Sequence, residues 1–224
     1  MSSSLERVVV VTCVLILVAG TASAATWHYG ARAGLNLPNL RGDIEGLLAP
    51  DWHPGLAAGG FAEADVSPST SIVLEVDYVQ KGADYRQIVT DAAANFTEPN
   101  ASLELSYVEV PILARLHLLK ERAITPFIEA GPTFGFALGA TQKADGSSDI
   151  DLKGELKTMD VGLALGVGFR FLAPFGRVDF ETRYGTGFGD LWDRTTPVTY
   201  PGPSSPGDVE SINHGFQFTL ALSR

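Results

Sequence analysis

Residues able to do chemistry are few and widely spaced in this chain. Its four histidines stand at 28, 53, 117 and 214, without the His-x-x-x-His spacing that sets two imidazoles on one helix face for zinc. His117 shares a segment with Ser106 and Glu109, the residue types of a base, a nucleophile and an acid. In an extended strand, however, Ser106 has the opposite parity and points away from the other two. In "DIDLKGELKTMD", Asp149, Asp151, Gly154 and Asp160 have spacings reminiscent of a calcium loop, but Lys153 falls on a ligand position and the twelfth residue is Asp rather than a bidentate Glu. A solvated acidic loop is the plainer reading. Gly166-Val-Gly168 and Gly185-Thr-Gly187 lie inside extended segments rather than ahead of a helix, which excludes a nucleotide fingerprint. Asn95-Phe-Thr97 and Asn100-Ala-Ser102 match an N-glycosylation pattern and are read as loop polarity. No catalytic residue, cofactor or metal is expected.

A different set of ionisable residues recurs at alternate positions of oily segments: Arg32, Glu75, Asp77, Glu109, Arg115, Glu129, Asp160, Arg170, Asp179, Glu181 and Arg183. These are seven acids and four bases, and their common parity places them on one face of a sheet. Such a face builds an ion-pair network if it is enclosed, and is a solvated surface if it is not.

The elements that carry them follow from the period of two. In "TMDVGLALGVGFRF" Met159, Val161, Leu163, Leu165, Val167, Phe169 and Phe171 share one face, opposite Asp160, Gly162, Ala164, Gly166, Gly168 and Arg170. In "GRVDFETRYGTGFGDL" Val178, Phe180 and Tyr184 oppose Arg177, Asp179, Glu181 and Arg183. Similar alternation predicts eight strands: 27–36, 55–65, 71–81, 103–118, 125–138, 157–171, 177–188 and 214–223. Small residues blur the phase of the second. Pro111 removes a ladder donor from the fourth and predicts a bulge or strand end there. Long connections (37–54, 82–102, 139–156, 189–213) alternate with short ones (66–70, 119–124, 172–176), as an antiparallel barrel with short periplasmic turns and long external loops requires.

Composition agrees with this turn-rich all-β reading: 24 Gly, 13 Pro and 12 Phe accompany only 19% charged residues. A formal charge of −10 and no basic stripe argue against nucleic-acid binding. Residues 1–24 have a short polar start with Arg7, an apolar run from Val8 to Ala19 and Ala22-Ser23-Ala24, the pattern of a cleaved secretory signal peptide. The run is too short to span a bilayer as a helix, which takes about 20 residues. Cys13, the sole cysteine, lies inside it, so the mature domain, 25–224, is expected to hold no thiol or disulfide.

Volume decides which face meets which surroundings. Eight strands enclose a space just wide enough for side chains to fill, and the bulky apolar face does not fit inside it. The ionic face, interspersed with Gly131, Gly135, Gly162, Gly166, Gly168, Gly185 and Gly187, does. The fold expected is therefore an all-β, eight-stranded antiparallel up-and-down transmembrane β-barrel, its oily face on lipid and its ions in a packed lumen. Trp27, Tyr78, Phe136, Phe171, Tyr184 and Phe188 fit aromatic girdles at the two interfaces.

Six segments, "YGARAGLNL", "LEVDYVQKGADY", "LSYVEVPILARLHL", "PFIEAGPTFGFAL", "MDVGLALGVGF" and "FETRYGTGFGDL", resemble in order those of the PorT-type outer-membrane β-barrel family of Gram-negative bacteria. The specific parts are the run Glu75, Tyr78, Lys81, Gly82, the run Tyr107, Glu109, Pro111, and the pair Gly131-Pro132. The resemblance implies export, outer-membrane lipid as surroundings and the barrel-assembly machinery as a partner during insertion. It assigns no activity, because those motifs belong to the barrel wall. Such proteins commonly end in an aromatic residue, whereas this chain ends Leu222-Ser223-Arg224. The function expected is a non-enzymatic barrel with a side-chain-filled lumen and acidic external loops for structural or recognition roles, their ligand unidentified. The alternatives are a narrow pore for small solutes or ions, a membrane-embedded lipid-modifying enzyme, and a soluble lipocalin-like binder.

Overall fold

A computed structural model describes residues 25–42, 50–86, 89–90, 96–97, 100–119, 124–145, 148–193 and 210–224. The segment read as a signal peptide, with Cys13, and Asn95 lie outside them. Eight long strands run β1 (Thr26–Arg41), β2 (Gly55–Ser67), β3 (Thr70–Arg86), β4 (Asn100–His117), β5 (Ile124–Ala144), β6 (Met159–Ala173), β7 (Gly176–Gly187) and β8 (Ile212–Ser223). Each pairs antiparallel with the next and β8 closes on β1, from Gly30 opposite Ser223 to Arg41 opposite Ile212. Closure leaves no row of unpaired backbone groups, the condition a sheet must meet inside hydrocarbon. The seam is finished by Arg224, whose N–H donates to the Tyr29 carbonyl at 3.0 Å.

Pro68-Ser69 and Pro174-Phe175 make tight turns at the end where β1 begins and β8 finishes. By the rule of short periplasmic turns this is the periplasmic end. Strands extend beyond their expected limits at the opposite end, where β1, β3, β4 and β5 reach Arg41, Arg86, Asn100 and Ala144. Two small additions continue them: Val89–Thr90 pairs with Phe96–Thr97, and Ile150–Asp151 pairs with Thr141–Gln142 of β5.

Pro111 neither bulges nor ends β4, contrary to the expectation from its missing donor. The strand runs through it; the β3 ladder simply has no pair at Glu75 and Val76, between Leu74–Ile112 and Asp77–Glu109. The bulge lies elsewhere. Ser106 pairs with Gly139 and Tyr107 with Ala137, leaving Leu138 as an extra residue of β5. That one residue reverses the phase of β5, so Phe127, Glu129 and Thr133 turn inward below it and Ala140 and Gln142 above it.

The two faces are unambiguous. Leu165 and Phe180 are 61% and 53% exposed on the outer wall, while Arg170 and Glu181 are 5% and 6% exposed inside it. Among the described residues the outer wall also carries Leu35, Leu74, Val76, Ile128, Leu163, Val167, Phe169, Leu220 and Leu222, an apolar belt of the kind that lipid stabilises and water does not. Trp27 stacks beside Tyr29 near the periplasmic rim, and Tyr184 packs on Phe216 at 5.2 Å nearer the loops.

Candidate functional site

Four arginines form the middle of the lumen. Arg115 on β4 and Arg170 on β6 come from opposite sides of β5; Arg32 is on β1 and Arg183 on β7. Arg183 grips Glu75 with two nitrogens at 2.7 and 3.0 Å, and reaches Glu129 at 2.7 Å and Glu181 at 2.6 Å. Arg170 holds Asp179 at 2.7 and 2.8 Å and Glu63 at 2.5 and 2.8 Å. Arg115 joins these groups, meeting Glu129, Asp179, Glu63 and Glu181 at 2.8 to 3.2 Å while its guanidinium lies 4.1 Å over the Phe127 ring. Arg32 pairs with Glu75, bonds Glu181 and the Thr219 hydroxyl at 3.0 Å each, and stands 3.7 Å from Asp77. The planar five-donor fork of arginine suits this work, because one side chain can satisfy two or three carboxylates at once.

All eleven residues singled out by parity line this interior, but not as one cluster. Glu109 and Asp160 stand apart toward the loop end, around Lys81 Nζ at 3.3 and 3.9 Å, with Asn213 donating to Asp160 at 3.2 Å. Glu63 is the member that sequence reasoning missed. Its side chain is fully buried between two arginines, yet the alanines and glycines of β2 conceal the phase that would have marked it. Between the two groups lies a cavity of about 50 Å³, lined by Lys81, Glu109, Thr133, Asp160, Arg183 and Gly185 among others. Its polar lining and size suit ordered water.

The loop end of the lumen is apolar, which the expectation of an ionic interior throughout did not include. Leu40, Ala83, Tyr85, Leu103, Leu105, Tyr107 and Ala140 turn inward there, under Leu152, Leu156, Leu191 and Trp192 from the external connections. Burying this core is what lengthens β1, β3, β4 and β5 beyond the membrane belt. Loop residues also clamp the rim: His53 Nδ1 lies 2.7 Å from Asp84 Oδ1, and Trp52 packs on His214 and Phe216.

The remaining candidates are dispersed. Ser106 meets the Tyr78 hydroxyl on the outer wall, Glu109 faces Lys81, and the hydroxyl near His117 is that of Ser71. Asp151 accepts from the Lys153 amide in the external connection, whereas Asp160 turns into the lumen. Asn100 is exposed at the start of β4.

Two inward glycines make the crowding concrete. A Cβ on Gly166 would sit 3.0 Å from the Glu129 carboxylate, and one on Gly168 would fall against the Phe127 ring, 2.8 Å from Cε2. Gly168→Val should therefore push Phe127 from beneath Arg115 and cost about 1–3 kcal/mol as overpacking. The urea midpoint of refolded protein in micelles measures it, with Gly185→Val, which meets nothing within 4 Å at its Cβ, as the mild control.

Residues 19–193 match the family model described as an outer membrane protein beta-barrel domain. No curated protein matches the chain. Among solved structures, it is similar to Neisserial surface protein A (13% identity over 89% of this chain and 99% of that one, TM-score 0.47). Two others are OprG from Pseudomonas aeruginosa (11%, 89% and 97%, 0.44) and the outer membrane protease OmpT from Escherichia coli (13%, 91% and 99%, 0.44).

Proposed function

The chain belongs to the outer membrane protein beta-barrel family, and from that premise we propose a non-enzymatic wall protein whose lumen is sealed by side chains and whose external loops supply recognition. It is an integral outer-membrane β-barrel. The observation that carries the finer reading is the four-arginine layer, which spans the lumen from β1, β4, β6 and β7. A hydrated ion needs a continuous wet path, and this layer interrupts one. Rigid strands then serve to hold loops in place, the usual division between scaffold and variable connection.

The reading extends to the PorT-type branch on the strength of Glu75-Tyr78-Lys81-Gly82 and Tyr107-Glu109-Pro111, and includes a signal peptide over 1–24 and insertion by the barrel-assembly machinery. Against enzymatic work stands the geometry at His117. Ser71 Oγ and Glu63 Oε1 both face the same ring nitrogen, Nε2, at 3.2 and 3.6 Å, whereas a relay needs the nucleophile and the carboxylate on opposite nitrogens of the base. Purified protein in a planar bilayer should show no reproducible open channels. Discrete, repeatable conductance steps would overturn the sealed-lumen reading in favour of a narrow pore.

A further inference from the structure

The periplasmic mouth holds a second cluster that the ionic layer does not absorb. Glu63 and Asp65, two residues apart on β2, share the inward face; His117 arrives from β4, Ser71 from β3 between them, and His28 from β1. One donor atom from each of Glu63, Asp65 and His117 lies within 4.8 Å of the other two. We propose that these three residues hold one divalent transition metal of the zinc class, with His28 orienting Asp65. The inference goes beyond the function proposed above.

Three features support a metal rather than a chance meeting of polar groups. The first is spacing: donors at about 2.0–2.2 Å around one zinc ion lie within roughly 4 Å of each other, a small contraction from what is seen. The second is the state of the histidine. Ser71 gives its one hydroxyl hydrogen to Asp65 Oδ1 at 2.7 Å, so His117 Nε2 must be the donor in its 3.2 Å contact with that oxygen, and Nδ1 is buried without a hydrogen-bond partner. Nε2 also faces Glu63 Oε1 at 3.6 Å, so it is the nitrogen that takes the ion, its proton moving to Nδ1 as the ion replaces the contact with Ser71. The third is charge. Glu63, Glu75, Asp77, Glu109, Glu129, Asp160, Asp179 and Glu181 outnumber Arg32, Lys81, Arg115, Arg170 and Arg183 inside the barrel, and a dication at the mouth offsets part of that excess.

The donor set selects the ion. One imidazole with two carboxylates suits zinc or its neighbours, while calcium and magnesium take oxygen ligands almost exclusively. His28 Nε2 lies 3.1 Å from Asp65 Oδ2 and the Ser71 hydroxyl donates to Oδ1, the outer support that metal-binding carboxylates usually have. Asp65 is partly exposed, which provides entry from the periplasm. Glu63 is the ligand that must give way, since Arg170 already shares both its oxygens and Arg115 meets Oε2 at 3.2 Å.

The test is titration of the untagged, refolded full chain in micelles with zinc chloride against a chromophoric chelator. One zinc should bind per barrel, with affinity falling at least about tenfold in Asp65→Asn and His117→Gln and by about tenfold in His28→Ala. A His53→Ala/His214→Ala double variant, altered at the opposite end, should bind as the parent does. Absence of stoichiometric binding, or binding that survives Asp65→Asn/His117→Gln in protein that retains the gel mobility of a folded barrel, overturns the site. X-ray absorption of zinc on the unaltered protein gives a readout independent of variants: imidazole back-scattering is expected, and an oxygen-only shell excludes His117.

Discussion

Arg183→Ala should lower the stability of the barrel by about 3–5 kcal/mol, the loss expected when one partner of a buried ion pair is removed and the other is left charged. Here three partners are left. Glu75, Glu129 and Glu181 converge on this one guanidinium at 2.6 to 3.1 Å, all nearly or wholly buried; without it Glu75 keeps Arg32, Glu129 keeps Arg115 and Glu181 keeps both. Removing the shared cation also turns their mutual repulsion on in a space that water cannot enter freely. Arg183→Lys should fall between, because an ammonium keeps the charge but cannot supply the paired nitrogens that hold Glu75. Arg177 is the contrast: it lies at the mouth, about a quarter exposed, 3.9 Å from Asp65. Its replacement by Ala should cost under about 1 kcal/mol. Urea midpoints in micelles rank the three, and Arg183→Ala no worse than Arg177→Ala would show that the interior is hydrated and that the sealed lumen is wrong.

What could be read from the sequence was whatever a period of two encodes. β6 was legible because Met159 to Phe171 keeps bulky apolar residues on one parity and glycine, alanine and ions on the other, with no interruption. β2 was the opposite case: Ala57, Ala58, Gly59 and Gly60 are small on both faces, so nothing marked Glu63 as inward, although it bonds two arginines. The extensions of β3, β4 and β5 were hidden for another reason. There Ala83, Tyr85, Ala101 and Ala140 turn inward, so the rule that ions face in and grease faces out no longer applies.

Register is a further limit, since alternation says which side a residue faces and not which residue of the next strand it meets. The neighbours of His117 illustrate this. Ser106 and Glu109 are near it in sequence, but the pairing of Ser71 with Arg115 brings a different serine to the imidazole, and the register of β1 on β2 sets His28 opposite Glu63 and near Asp65. A mixed histidine and carboxylate cluster assembled from β1, β2 and β4 has no spacing signature in a single chain. Leu138 likewise shifts the phase of β5 by one residue; Gly139 beside it is a local signal of a bulge, but Gly131 and Gly135 recur in the same strand without one.

The orientation of the two faces has its own direct test. Leu165 lies near the middle of β6, between Ala130 of β5 and Tyr184 of β7, pointing away from the lumen. Leu165→Arg should destabilise the folded barrel in phospholipid bilayers by about 2–4 kcal/mol, the cost of placing a guanidinium at bilayer midplane depth on an outward position. Leu118, just past the periplasmic end of β4, where its N–H donates to the Pro126 carbonyl, continues the outward parity of Leu116 and is half exposed; Leu118→Arg should cost about 0–1 kcal/mol because the longer side chain reaches headgroups and water. The difference between the two positions is the informative quantity, since both substitutions remove a leucine from an exposed site and add the same charge. If water covered the outer wall, neither would be penalised and both would improve solubility. Equal midpoints for the two variants in bilayers would mean that depth has no effect along the outer wall, which is incompatible with a wall that faces lipid.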